Sequence, residues 1–402
     1  MPGEHQIVTD PSVSPVVHAP RKVPIALLPK LRVALDDMER DGIIVKCDKP
    51  TDWMSSLLIV EKKIGSPRLC LDPRDLNKAI KREHLVVPTC EDVTARLHGK
   101  RVFFSLIDMT NGFWQVCLDD ESSRLCTFNT PFGRYHMRRL PFGISSAPEI
   151  FQKRNTQVFG DIDGVHIIFD DLIIAASDDS EHDQILRKVL ERARANGVRF
   201  NRSKVQLRLP EVKYLGHLLS ANGVRPDPDK VIAIREMPTP GDRKELLRFL
   251  GMTTYLSKFI PAYSTITDPL RLLLKKDALW QWHPEHDSAV SKLKEQVEKT
   301  PTLAYFNPNK PVVIQTDASS TGIGSCLLQD ERPIAFASRS LTDAETRYAQ
   351  IEELLAIVNA CEKFSHYIYG HQTTVHSDHK PLEAIWRKQI NATSPRLQRM
   401  LL

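Results

Sequence analysis

Two adjacent aspartates, Asp170 and Asp171, interrupt an apolar run that extends from Ile167 to Ala176. Asp is rarely buried without a compensating positive charge, and neighbouring carboxylates raise each other's proton affinity unless a cation lies between them. The β-branched residues predict two strands with a tight turn at the aspartates. Carboxylates at the tip of such a hairpin suit a divalent metal ion. The alternative is an exposed turn between ordinary strands, since Asp is a common turn residue.

A third carboxylate, Asp108, ends another apolar strand that begins near Phe103. If this strand lies beside the hairpin, Asp108 and Asp170 can hold two magnesium ions about 3.5–4 Å apart. Such a pair of ions stabilises the attacking and leaving oxygens of in-line phosphoryl transfer. The acids therefore favour metal-dependent chemistry on phosphate.

The elements around these acids predict an α+β domain with an antiparallel sheet, because strands and helices follow each other in blocks. A Pro-, Val- and Ser-rich stretch over 1–22 is expected to be an extended lead-in rather than a packed element. Predicted strands of the first block are 55–61, 67–72, 103–108, 113–118, 125–128 and 133–138, and its predicted helices are 28–40, 144–158 and 178–195. Later predictions are helices at 230–235, 243–259 and 342–364 and strands at 312–316, 323–328, 334–338 and 373–378.

Composition describes an ordinary soluble globular protein of two or three domains: 402 residues, 41% hydrophobic and 26% charged. The net charge of +5 permits a nucleic-acid partner without requiring one. Basic residues cluster in one segment, where a solvated helix face is the alternative to a phosphate-binding surface. The cluster consists of Arg187, Lys188, Arg192, Arg194, Arg199, Arg202, Lys204 and Arg208.

The cysteines argue against a disulfide framework and a zinc site, because there are seven of them and none forms a Cys-x-x-Cys pair. They favour a reducing compartment. Without a signal-peptide pattern or an apolar stretch of membrane-spanning length, we expect a soluble, intracellular, cytoplasmic protein with no membrane partner. A virus-like particle or the nucleus remains an alternative location.

Five motifs in order resemble the gypsy-type LTR-retrotransposon Pol polyprotein, a reverse transcriptase joined to ribonuclease H. They are RLCLDPRDLNK at 68–78, LIDMTNGFWQ at 106–115, LPFGISSAPEIFQ at 140–152, FDD at 169–171 and YLGH at 214–217. The resemblance implies a right-hand polymerase followed by a connection and a truncated ribonuclease H-like α/β domain. One departure is Ile168, where the family often has Tyr; we interpret it as altered packing.

By this resemblance, Asp108, Asp170 and Asp171 form the catalytic and metal-binding triad, with the Met109 carbonyl completing a metal shell. Asp171 is expected to be peripheral. Phe113 corresponds to the wall of the sugar pocket, where a ring would clash with a 2′-hydroxyl; a core aromatic is the alternative.

The resemblance also implies nucleotide- and primer-binding residues. Lys63 and Arg68 would bind the triphosphate, with Lys62 as the alternative to Lys63 because the turn length is ambiguous. Phe142 belongs to the same pocket, and Lys204 would protonate departing pyrophosphate or be an ordinary surface lysine. The primer grip would comprise Tyr214, Leu215, Gly216 and His217.

A second acidic set, Asp317, Glu353 and Asp378, resembles the metal-binding carboxylates of the attached ribonuclease H domain. The family commonly reads Ile-Glu-x-Glu, whereas Glu352 and Glu353 are contiguous here; spacing to Leu354 favours Glu353. Since the sequence stops at Leu402, before the fourth family carboxylate, we expect this domain to be weak or inactive. His376 and His379 flank the last acid but have no third ligand spaced for zinc.

The resulting hypothesis is an RNA- and DNA-templated DNA polymerase that uses Mg²⁺ or Mn²⁺, deoxynucleoside triphosphates and a primed template. Fingers and palm would span 23–220, thumb and connection 221–307, and the incomplete ribonuclease H-like domain 308–402. Protease and integrase of the same element are the expected fusion or association partners. The alternative is a non-catalytic retroelement remnant that binds nucleic acid or merely folds.

Overall fold

The computed structural model describes residues 1–60, 67–97, 103–342, 345–346, 349–378 and 382. It divides into two compact units, the first being Met1–Thr89 with Val102–Leu209 and the second Cys90–Arg101 with Pro210–Leu402. The division into 23–220, 221–307 and 308–402 stays a prediction. All seven cysteines are free thiols. Within the described ranges, no helix has both the length and the apolarity needed to cross a membrane.

The first unit is built around an antiparallel four-stranded sheet in the spatial order Gln206–Leu209, Phe103–Asp108, Asp171–Ala176, Val165–Ile168. The central strand Asp171–Ala176 is buried from Leu172 onward because apolar residues occupy both of its faces. The helices Ala147–Phe159 and Asp179–Ala195 pack on this sheet and against each other. Burial of these apolar faces is what holds the ends of the strands in place.

The remaining elements of the first unit surround this sheet. Its further strands are Glu4–His5, Ile44–Lys46, Ser56–Val60, Arg68–Asp72, Cys117–Leu118, Thr127–Thr130 and Gly133–Met137. Its further helices are Leu28–Arg40, Leu76–Ala79 and Asp120–Leu125, with 3₁₀ turns at Ile25–Leu27 and Gly112–Gln115.

The second unit contains a three-stranded meander of Glu211–Tyr214, His217–Ser220 and Gly223–Pro226. It also contains a four-stranded sheet in the order Arg332–Ser340, Gly322–Gln329, Val312–Ala318, Thr373–His376, whose last pair is parallel. Its helices are Cys90–Ala95, Pro228–Glu236, Arg243–Thr254, Tyr263–Leu272, Pro284–Glu298, Ala349–Lys363 and Ser365–Ile368, with a 3₁₀ turn at Ser257–Phe259.

Sequence predictions were wrong for three segments, and the helix predicted over 243–259 ends early, at Thr254, before a 3₁₀ turn at Ser257–Phe259. The predicted strand over 113–118 is a 3₁₀ turn at Gly112–Gln115 followed by the short strand Cys117–Leu118. The Gln115 side chain binds the carbonyls of Thr110 and Arg199 at 2.8 and 2.9 Å, and these bonds favour the turn over a strand. The helix expected from residue 342 begins at Ala349.

The third error concerns residues 1–22. The segment is extended as expected, but it packs on the first unit: Glu4–His5 pairs in parallel with Cys117–Leu118. Ile7 is buried, and its backbone amide donates a hydrogen bond to the Ser122 hydroxyl at 2.6 Å. Such long-range pairing leaves no local signature in the sequence.

Candidate active site

The Asp-Asp motif forms the tip of a β-hairpin, because Ile168 and Asp171 pair directly and leave Phe169 and Asp170 as a two-residue turn. Asp171 is also the cross-strand partner of Asp108 on the other side. The Met109 amide donates a hydrogen bond to the Asp170 carbonyl at 3.0 Å. The backbone therefore brings the three predicted acids to one end of the sheet, where paired Cα atoms lie about 4.5–5.5 Å apart.

A helix holds this turn in a strained conformation. Phe169 has a φ of 52°, which is uncommon for a residue with a large side chain. The Gln152 side-chain Oε1 accepts from the Phe169 backbone amide at 2.8 Å, and the Asn155 side-chain Nδ2 donates to the Phe169 backbone carbonyl at 2.8 Å. Both side chains are buried. Sequence reasoning assigned them no role, although Gln152 lies within one of the quoted motifs.

Asp170 lies in a tight, partly apolar niche. A methyl group on Gly112 would come within 1.8 Å of the Asp170 Oδ1 and 2.6 Å of the Phe151 Cζ, so only glycine fits there. Among the described residues, this Oδ1 is buried without a hydrogen-bond partner. Burial, together with the charges of Asp108 and Asp171, raises the pKa of Asp170 from 3.8 to about 6.

The other two acids are in different electrostatic states. Burial and the Asp108 charge raise the pKa of Asp171, although Lys204 opposes the shift. Asp108 binds the Lys204 Nζ at 3.0 Å, and this lysine is 61% exposed. The sequence left open whether Lys204 has a catalytic role or is an ordinary surface lysine. In the structure, its Nζ contacts Asp108, one of the three acids of the site.

The donor set fits a hard divalent cation, which prefers carboxylate and carbonyl oxygens. The unpaired Asp170 Oδ1 is the observation that favours such a ligand, because an orphaned buried oxygen is costly unless something compensates it. In the described part of the chain, no three His, Cys, Asp or Glu side chains converge into one ready ligand group. The Lys204 Nζ contacts the Asp108 carboxylate at 3.0 Å and would compete with a metal ion for it.

Aromatic rings and one arginine line the neighbouring surface. The Phe113 ring centroid lies 5.0 Å from that of Phe142 and 5.5 Å from that of Phe151. The Arg68 Cζ lies 5.0 Å from the Phe142 centroid, and its charge lowers the pKa of Asp170. Phe113 thus packs on the core with one side and stays half-buried, and its role as the wall of a sugar pocket stays a prediction.

The strand that carries Arg68 is joined to the Phe142 loop. The Leu71 amide donates to the Phe142 carbonyl at 3.0 Å, and Asn77 donates to the Gly143 carbonyl at 3.0 Å. These bonds place Arg68, Phe142 and Phe113 side by side. The predicted triphosphate ligands Lys62 and Lys63 lie outside the described residues.

The predicted primer grip is a hairpin of the second unit. Leu215 and Gly216 form its two-residue turn with φ of 47° and 71°, as a type I′ turn requires. Tyr214 and His217 are buried, so only the turn itself is presented to a partner. Burial, and then the Lys258 charge, lower the pKa of His217 to about 4, and its Nδ1 lies 3.0 Å from the Leu215 carbonyl oxygen. His217 therefore supports the turn as a neutral residue.

The second acidic set gathers at one end of the sheet in the second unit. Gln315 pairs in parallel with His376, so Asp317 and Asp378, each two residues further on, end neighbouring strands. Both are exposed, whereas Glu353 is buried and accepts a hydrogen bond from the Ser377 hydroxyl at 3.4 Å. His379 lies outside the described residues.

Comparison with known protein families matches two parts of the chain. Residues 60–219 match the model of the reverse transcriptase (RNA-dependent DNA polymerase) family. Residues 282–375 match the model of an RNase H-like domain found in reverse transcriptase.

Similar curated proteins are retrotransposon polyproteins. The Pol polyprotein from transposon 297 of Drosophila melanogaster is 33% identical over 390 residues, which are 94% of this chain and 36% of that protein. The Tf2-3 polyprotein of Schizosaccharomyces pombe is 30% identical over 320 residues, 78% of this chain and 24% of that protein. The chain thus spans about a third or less of these relatives.

Solved structures with the same fold are foamy viral protease-reverse transcriptases. One in complex with double-stranded DNA has a TM-score of 0.91 at 21% identity and covers all of this chain and 71% of that one. Another, in complex with an RNA/DNA hybrid, has a TM-score of 0.83 at 22% identity and covers 99% of this chain and 55% of that one.

Proposed function

Because the chain belongs to the reverse transcriptases of retrotransposon Pol polyproteins, we propose that it is an RNA-directed DNA polymerase that extends a primer with deoxynucleotides. The observation that carries the proposal is the meeting of Asp108, Asp170 and Asp171 at one sheet end, with a buried Asp170 oxygen unpaired within the described structure. Carboxylates so placed serve to bind divalent metal ions for phosphoryl transfer.

In the proposed mechanism, Asp108 and Asp170 would hold two magnesium ions, and the Met109 carbonyl would be a further oxygen ligand. Bound magnesium would make the primer 3′-hydroxyl a better nucleophile and stabilise the leaving pyrophosphate. Because the pKa of Asp170 is raised to about 6, its ionised form, the one that would bind metal, is half populated near pH 6 in the metal-free protein and predominates only at higher pH.

The neighbouring residues bind and orient the nucleotide. Arg68 offers a forked guanidinium to the phosphates and is kept in place by the Phe142 ring. The Phe113 ring lies against Phe142 and would exclude a 2′-hydroxyl. Lys204, on the opposite side of Asp108 from Asp171, would release Asp108 and donate a proton to the departing pyrophosphate.

The proposed partners are a primed RNA or DNA template and deoxynucleoside triphosphates. Template contacts would be made mainly to backbone phosphates and would weaken as salt rises. As part of a longer polyprotein, the domain would work beside the protease and integrase of the same element, in the cytoplasm or in a virus-like particle.

A primer-extension assay on an RNA template with Mg²⁺ tests the proposal. Asp170→Asn should abolish incorporation and leave template affinity, measured by fluorescence anisotropy, within about twofold of wild type. Glu121→Gln, an exposed carboxylate of the same unit, is the matched control and should keep full activity. Retained incorporation by Asp170→Asn would exclude the mechanism, and an inactive wild-type protein that still binds template would favour the remnant alternative.

A second activity, metal-dependent cleavage of the RNA strand of a hybrid, is supported by Asp317, Asp378 and Glu353 at one sheet end. The test is cleavage of a labelled RNA/DNA hybrid by wild type and Asp317→Asn. Loss of cleavage without loss of primer extension would assign it to the second unit. Equal cleavage by both proteins would exclude this site.

A further inference from the structure

A closed ring of four polar residues lies next to the strand that carries Asp108. Two of its members, Ser105 and His182, are buried, whereas Asp183 and Arg208 are exposed. The Ser105 hydroxyl lies 2.7 Å from the His182 Nε2 and accepts from the Arg208 amide at 3.0 Å. His182 Nδ1 lies 3.4 Å from the Asp183 carboxylate, which in turn binds the Arg208 guanidinium. The ring joins the strand of Asp108, the helix Asp179–Ala195 and the edge strand Gln206–Leu209.

The Ser105 hydroxyl and the His182 ring have no access to a substrate, because both residues are 0% exposed. A serine, a histidine and an aspartate in this order could suggest a hydrolytic triad, but the burial rules that out. The contacts form a continuous chain: the Arg208 amide donates to the Ser105 hydroxyl, this hydroxyl can donate to His182 Nε2, and His182 Nδ1 can donate to Asp183. Any effect of the ring on the proposed site must therefore act through the strands and the helix that the ring joins.

One of the joined elements, the edge strand Gln206–Leu209, contains a β-bulge. Gln206 pairs with Leu106 and Leu209 pairs with Phe104, so two residues of the edge strand face Ser105 alone. The second of them, Arg208, has a φ of 52°, an uncommon conformation for this residue type. The hydrogen bond from its amide to Ser105 is what stabilises the extra residue in place.

The bulge directly follows the segment that carries Lys204. The chain passes from Asn201, whose amide binds the Asp108 carbonyl at 2.8 Å, through Lys204 to the bulge. If Leu209 keeps its pairing with Phe104, loss of the bulge would shift the segment before it by about 3.3 Å along the Asp108 strand. A slip of that size would move Lys204 away from Asp108 and break the hydrogen bond of 3.0 Å between its Nζ and the Asp108 carboxylate.

We propose that the ring of Ser105, His182, Asp183 and Arg208 is a positioning device that sets Lys204 against Asp108. The proposal rests on the proposed polymerase function for its kinetic consequence. It makes Ser105 and His182 positioning residues for catalysis, although neither touches substrate.

The kinetic test compares Ser105→Ala with Ser122→Ala in single-turnover nucleotide incorporation. Ser122 is equally buried and also accepts a backbone amide, so its variant loses a similar bond away from the site. Ser105→Ala should lower the maximal incorporation rate about tenfold, because a misplacement of about 1 Å costs up to a hundredfold. The nucleotide concentration at half-maximal rate should stay within about twofold, since Arg68 and Phe142 are held by other bonds.

Two further variants separate positioning from folding. His182→Gln can place its side-chain carbonyl oxygen near the Nε2 position, where it can accept from the Ser105 hydroxyl, and should keep most of the rate. His182→Leu has no acceptor and should match Ser105→Ala. Only variants that show a cooperative thermal unfolding transition, and are therefore folded, are compared. Equal losses in Ser105→Ala and Ser122→Ala, or a full rate in both Ser105→Ala and His182→Leu, would overturn the proposal.

A readout independent of activity is amide hydrogen exchange over residues 199–209 without nucleotide or metal. Ser105→Ala should speed exchange of this segment at least tenfold, and Ser122→Ala should leave it unchanged. An inactive wild-type protein would refute the polymerase function, yet this exchange result would still decide whether the ring holds the segment. Unchanged exchange in Ser105→Ala would overturn the ring's role.

Discussion

Asp170→Asn should stabilise the metal-free protein at the same time as it abolishes catalysis. The raised pKa, from 3.8 to about 6, corresponds to about 3 kcal/mol of unfavourable free energy in the ionised folded form. Asp170 is only half-buried, so solvent screening reduces this, and we expect about 1–2 kcal/mol. Asparagine has nearly the same shape and carries no charge to be repelled by Asp108 and Asp171.

The sign of the effect depends on pH. Between about pH 4 and pH 6 the folded protein binds more protons at Asp170 than the unfolded chain does, so wild-type stability falls as pH rises through this window. Above pH 6 the ionised Asp170 destabilises the folded protein by the full amount, and below pH 4 this destabilisation is absent. Asp170→Asn should therefore melt about 4 °C higher than wild type at pH 8 and at nearly the same temperature at pH 4.

The assay is thermal unfolding in EDTA at both pH values, with Glu121→Gln as a control that should melt like wild type. Added Mg²⁺ should then raise the melting temperature of wild type and leave Asp170→Asn unchanged, because a ligand stabilises only the state that binds it. A variant that is less stable than wild type at pH 8, or equally shifted at both pH values, would refute the electrostatic reasoning.

Further predictions concern the residues that hold the same site. Gly112→Ala should reduce incorporation at least a hundredfold, because its methyl group would overlap Asp170 Oδ1 at 1.8 Å; a near-normal rate in a primer-extension assay would show that the niche can widen. Gln152→Leu should lower both the melting temperature and the incorporation rate, about tenfold for the rate, since it leaves the strained Phe169 amide unbonded; circular dichroism melts and single-nucleotide kinetics measure the two losses. Phe113→Ala should raise ribonucleotide use relative to deoxynucleotide use at least tenfold, and an unchanged ratio in competition assays would leave Phe113 as a core residue only.

Strong local patterns allowed much of the first unit to be predicted. The hairpin around Asp170 and the strand ending at Asp108 were expected from β-branched runs that end in acids, and the helix Leu28–Arg40 from its apolar stripe. Their meeting at one sheet end, in the register Asp171 to Asp108, is described by the structure. Single-sequence patterns are informative here because the buried strands are continuous and the turn residues are unambiguous.

What could not be predicted depends on contacts between residues distant in sequence. The bond between Ser105 and His182 spans 77 residues, and that between Ser105 and the Arg208 amide spans 103. The bulge at Arg208 has no glycine to signal it, and the turn at Phe169 is held from a helix 14 to 17 residues earlier. Polar side chains that fold onto distant backbone groups have no periodicity, so sequence reasoning gave them no role.

The most direct measurement is the rate of the first nucleotide addition to an RNA-templated primer as Mg²⁺ is titrated, with template saturation verified by anisotropy. The account predicts no addition in EDTA and a rate that rises with more than one magnesium ion bound per active site. Template-saturated protein that adds no nucleotide at any concentration of Mg²⁺ or Mn²⁺ would contradict it.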